Sequence, residues 1–102
     1  MLEGLISKPV YRVLADLTQE PRFEVALPLA VKDWVRLRLA EARTEKRDFE
    51  RRYGLTFEEF KRAWHEGQIA DAHSYEVECD YREWESAVAD EAKLLEMQES
   101  LP

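Results

Sequence analysis

An all-α fold of three to four helices around one long central helix is what this sequence predicts, with one short strand as the exception. Three observations carry the prediction. Glycine accounts for only 3 of 102 residues while 36 % are charged, a composition short of the turn residues that a β-rich domain needs. Apolar residues recur at steps of three and four in most segments, the spacing of one helix face. Residues 29–53 pass without a single glycine or proline. At ~1.5 Å per residue such a helix is roughly 37 Å long, wider than a compact 100-residue domain. It therefore needs cover from the rest of the chain, a second copy or a partner. The length suits one domain over residues 1–102 with a single thin core. An apolar share of 45 %, with three Trp, four Tyr and four Phe, argues against disorder.

The first helix is expected over residues 7–17. Ser7 suits the N-cap and Pro9 the first turn, where its missing N–H does no harm. Val10, Val13, Leu14 and Leu17 then fall on one face. Pro21 stops the helix and disfavours α geometry at Glu20. Residues 22–27 are the strand candidate: Phe23, Val25 and Leu27 alternate with Arg22, Glu24 and Ala26. A lone strand leaves its backbone unpaired, so this one would pair with the same strand of another protomer, pair with a partner, or fail to be a strand.

The long helix is expected from residue 29 onward, just after Pro28. Positions Val35, Leu39, Ala42, Lys46, Phe49 and Tyr53 alternate steps of four and three, a coiled-coil seam that Lys46 interrupts. Self-association through this seam and packing on the same domain both fit it. An oligomer interface would then hold Phe23, Val25, Val35, Leu39 and Phe49, in a homodimer. Gly54 closes the helix as the glycine just past its end. Thr56 with Glu59 forms a capping box for a third helix, and Leu55 with Phe60 has the spacing of a hydrophobic staple. Folding back at this corner gathers Phe49, Tyr53, Phe57, Phe60 and Trp64 into the densest core. Residues 75–101 read as an acidic last helix, with Asp80 and Glu83 as a second capping pair. Its stripe is Val77, Tyr81, Trp84, Val88, Ala92 and Leu95.

Charge divides the chain. Residues 1–53 hold eleven Lys/Arg and nine Asp/Glu, a balance of +2, and residues 54–102 hold four and thirteen, a balance of −9. An acidic half steers basic partners and repels phosphate backbones, which disfavours nucleic acid. The strand-then-helix order is also that of ribbon-helix-helix DNA-binding dimers, but those break their first helix after about a dozen residues, and nothing interrupts this one until Gly54. A DNA-binding regulator would have to use Arg36, Arg38, Arg43, Arg47 and Arg51. The single cysteine, Cys79, excludes an intrachain disulfide and suits a cytoplasmic protein. Residues 1–7 lack the pattern of a secretion signal, and no apolar run reaches the ~20 residues of a membrane span.

Catalytic chemistry has little to stand on. His65, His73 and Cys79 are the only nucleophile or base candidates of their type, eight and six residues apart. No paired-histidine, paired-cysteine or phosphate-loop motif occurs, and a zinc site needs three or four ligands. No enzyme activity, metal or cofactor is expected. The strongest cluster is Tyr75, Val77, Tyr81 and Trp84 among Glu76, Glu78, Asp80, Glu83 and Glu85. Aromatic side chains in an acidic surround suit docking on a basic protein. Facing the internal core is the competing reading, because the stripe has ordinary core spacing. If the stripe docks a partner, its contacts are Tyr75, Tyr81, Trp84 and Val88.

Residues 49–60, FERRYGLTFEEF, and residues 75–85, YEVECDYREWE, resemble two segments of small prokaryotic proteins similar to the antitoxins of toxin–antitoxin pairs. Those segments read roughly FExKYGMSFEEF and YEVExDYWEWE. Arg52 stands where the group often has Lys, and Arg82 where it often has Trp, which removes one exposed aromatic. The resemblance extends loosely over residues 22–96. It implies an antitoxin that neutralises a small basic toxin by occlusion through the acidic last helix. A homo-oligomeric helical scaffold is the alternative, and it predicts that the C-terminal stripe is already buried in the free protein.

Overall fold

The computed structural model describes residues 7–102; the secretion-signal reading of the first residues lies mostly outside them. Four helices follow one another: α1 (Lys8–Thr18), α2 (Phe23–Tyr53), α3 (Phe57–His65) and α4 (Tyr75–Ser100). Among the described residues there is no strand. The all-α expectation holds.

The strand expected over 22–27 is a correction. Arg22 flanks the start of α2, and Phe23 to Leu27 form its opening turns, with the amides of Val25 and Ala26 donating to the Arg22 carbonyl at 3.1 and 2.8 Å. Helix formation satisfies inside the segment the backbone groups that a lone strand would leave open. It also buries Phe23 and Ala26, three residues apart, on one face. Tyr11 of α1 stacks on Phe23 with ring centroids 6.0 Å apart, and its hydroxyl donates to the Pro21 carbonyl at 3.0 Å. Glu20 accepts from the Arg22 amide at 3.1 Å and its guanidinium at 2.8 Å, which fixes the corner.

The expected start of the long helix is corrected with it. α2 spans 31 residues and runs through Pro28. At ~1.5 Å per residue that is roughly 46 Å. Pro28 has no N–H to donate to the Glu24 carbonyl, so one rung of the helix is missing. The molecule is a slender rod of 57 × 25 × 21 Å. Its radius of gyration is 19.6 Å, against ~13 Å for a compact chain of this length.

α2 and α4 form an antiparallel hairpin. Phe49 stacks on Trp84 at 5.7 Å, while Lys46, earlier on α2, reaches Glu91, later on α4, at 2.9 Å. The α2 face of this hairpin is the seam expected from the sequence. Val35, Leu39, Ala42 and Phe49 are buried along it. Lys46 is no defect there: Lys46 and Arg43 both hold Glu91, and their hydrogen bonds, that of Lys46 foremost, pull its carboxyl below the ordinary range.

The turn between α2 and α4 follows its sequence signals. Gly54 adopts φ 68°, a left-handed conformation that closes α2 and that side chains with a Cβ resist. The Thr56 hydroxyl accepts from the Glu59 amide at 3.2 Å, and the Glu59 carboxylate accepts from the Thr56 amide at 2.9 Å. α4 starts at Tyr75, as expected, but with a different cap. Ser74 caps it by accepting from the Val77 amide at 3.3 Å, which places Asp80 inside the helix instead of at its head.

Candidate functional site

Trp84 decides what α4 can present. It is 0 % exposed, packed among Phe49, Tyr53, Phe57 and Phe60 with ring centroids 5.0–5.8 Å away. Its indole N–H is buried without a hydrogen-bond partner, so the residue is held by packing alone. Tyr81 and Val88 are half-buried against the same cluster. The stripe expected to dock a partner is therefore the inner face of the hairpin, and Trp84 cannot anchor a partner while the fold is intact. Only Tyr75, 80 % exposed, stands out in solvent.

The proposed oligomer contacts meet the same end. Phe23, Val35, Leu39 and Phe49 are buried within the chain itself. Val25 is half-buried on α2 and has no strand in which to pair. The reason is physical: the same steps of four and three serve an intramolecular seam as well as an intermolecular one, and α4 is tethered to α2.

Beside the core, Asp80 accepts from the Tyr53 hydroxyl and pairs with Arg52 at 2.9 Å. Burial first, then the hydrogen bond to Asp80, pushes the Tyr53 phenol up to about 12. These three groups line an open cleft with Tyr75, Glu76, Val77, Cys79 and Glu83. Arg82 approaches the Cys79 sulfur at 3.5 Å from the exposed side. His73 lies elsewhere, its ring edge-on to Trp64 at 6.2 Å.

Outward, α4 is an acidic ridge. It carries nine carboxylates against Arg82 and Lys93, a balance of −7, which equals the net charge of the whole chain. Asp80 and Glu91 are taken up in ion pairs to α2. Glu76, Glu78, Glu83, Glu85, Asp90, Glu96 and Glu99 are exposed, and among the described residues none of them forms an ion pair. No base stands in the last turn of α4, where Glu99 opposes the helix dipole. That placement does nothing for the stability of the helix.

A second surface lies at the other end of the rod. α1 has no buried residue, and Val10, Val13 and Leu17 turn outward, Leu17 being 77 % exposed. On α2, Leu27, Val31, Trp34 and Leu37 are also exposed, Trp34 at 61 %. This surface was legible only in part. Leu27, Val31, Trp34 and Leu37 keep steps of four and three, but they straddle Pro28, so a helix begun after the proline cuts the stripe short. Of the arginines that a DNA-binding role would need, Arg36, Arg43 and Arg51 lie against Asp33, Glu91 and Asp48.

No family model, curated protein or solved structure matches this chain.

Proposed function

We propose that this chain is a non-catalytic protein-binding module whose acidic α4 ridge receives a basic protein, and that its role is to neutralise a small basic toxin by occlusion. The observation that supports this reading most is the segregation of charge. α4 alone carries a balance equal to the net charge of the chain, and seven of its nine carboxylates are exposed and used by no ion pair among the described residues. Such a ridge raises the rate of encounter with a positive surface and fixes its orientation. The toxin as partner rests on the resemblance of residues 49–60 and 75–85 to antitoxins. Contacts come from the exposed carboxylates with Tyr75, in place of Trp84.

The scaffold reading keeps one specific observation in its favour: in the free chain Trp84 is buried, and Val77, Tyr81 and Val88 are half-buried against the same core. Capture from a lysate of the native host separates the two. The full chain should retain a small basic protein. Changing Glu76, Glu78, Glu83 and Glu85 together to Gln should release it, as should raising the salt. The captured protein expressed alone should arrest growth, and co-expression of this chain should restore it. Retention of nothing basic, or retention indifferent to the four substitutions, would leave the scaffold.

A further inference from the structure

α1 presents a physical problem that the other described residues do not solve. It has 11 residues and buries none of them, while an isolated helix shorter than ~12–15 residues is marginal in water. Its apolar face, with Val10, Val13 and Leu17, points away from α2. Tyr11 and the corner at Pro21 tie it to the rod at one side only. Nearby on α2, Leu27, Val31, Trp34 and Leu37 lie open. At roughly 150–200 Å² for a fully exposed residue of this size, these seven side chains expose on the order of 600–800 Å² in total. Each side of a standard interface buries ~800 Å², so a partner covering both helices here would meet apolar surface of that order.

Charge selects the occupant. Residues 7–38 hold Lys8, Arg12, Arg22, Lys32, Arg36 and Arg38 against Asp16, Glu20, Glu24 and Asp33, and two of these bases already pair within the chain. A near-balanced surface of interspersed signs can meet its own copy without repulsion. The α4 ridges cannot meet each other, because each carries −7. A strongly basic protein is drawn to that ridge and not to this end. We infer that two copies of this chain associate through the N-terminal end of the rod, burying Val10, Val13 and Leu17 of α1 and Trp34 and Leu37 of α2, with both acidic ridges left free. This inference does not depend on the identity of any other partner. It replaces a strand-paired or seam-paired dimer with one made by the faces that the monomer leaves open. A closed twofold pair uses the same patch on both copies, which a self-compatible surface allows.

Sedimentation equilibrium of the full chain from about 1 to 100 µM tests it. The expected result is reversible association to twice the 12.1 kDa chain mass. Trp34→Glu, and separately Val13→Glu, should each weaken association by at least ~30-fold, the effect of removing a central anchor. Both sites are exposed, so the helical circular-dichroism signal at monomer concentrations should persist. Met97→Glu, on the exposed side of α4, should leave association unchanged. A wild-type chain that stays monomeric at about 100 µM overturns the inference, as does association indifferent to both N-terminal substitutions or lost with Met97→Glu. A monomer that co-sediments with phosphatidylcholine–phosphatidylglycerol vesicles would assign the surface to a lipid and likewise overturn it.

Discussion

Trp84 shows how far a single residue's role can be read from spacing. Its place on an apolar stripe was legible; which side of the helix met the partner was not, because a core stripe and a docking stripe obey the same period. The structure makes it the centre of the aromatic core. Trp84→Ala should therefore cost about 3–5 kcal/mol of folding stability, read from urea unfolding. A variant of undiminished stability would contradict the packing described. Tyr53 gives a test in pH. Its phenol stands near 12 in the folded chain, raised by burial and by Asp80, against ~10 when unfolded. The fold thus favours the neutral form. The stabilisation is complete below pH ~10 and is lost as the pH rises towards 12. The difference in urea midpoint between the wild type and Tyr53→Phe should narrow across that window. A difference constant from pH 9 to 11.5 would refute the assignment.

Among the elements, α2 carried the largest error and α3 none. The capping box of Thr56 and Glu59 is a local signal, and local signals survive tertiary context. Pro28 is a local signal too, yet α2 runs through it. What outweighs the lost rung is the burial of Phe23 and Ala26 beneath α1, which no property of residues 22–28 alone reveals. Replacing Pro28 with Ala should restore the bond to the Glu24 carbonyl and raise stability by about 1–3 kcal/mol, measured by thermal or urea unfolding. An unchanged or lowered stability would mean that the proline sets an angle α1 needs. The seam itself was readable at every position, Lys46 included, but its partner was not, since Glu91 lies 45 residues further on.

At the scale of the whole molecule, composition announced the helical class and the uneven charge, while shape came only with the structure. A rod 57 Å long was foreshadowed by 25 residues without a break, but the hairpin fold of that rod depends on pairing across the α3 corner. For function the sequence offers only an expectation of protein binding, from acidic surface and aromatic side chains together, and the structure separates the two, placing most of the aromatic residues inside and the acids outside. The N-terminal surface was the part least visible, because which face of α1 meets α2 is set by the corner at Pro21 and not by the period of its apolar residues.

The position of the aromatic cluster beside that corner has a further consequence, one of time. Phe49 and Trp84 are 35 residues apart in sequence, while Lys46 and Glu91 are 45 apart, and pairs nearer the open end of the hairpin are further still. Loop-closure entropy makes the shortest connection the cheapest to close. The hairpin therefore has a preferred order of assembly, starting at the Tyr53–Trp84 corner and zipping towards Val35, and it opens in reverse. The last stretch to form and the first to fray is the end of the rod that α1 leaves half-covered, so whatever settles there acts as a clasp on the whole molecule.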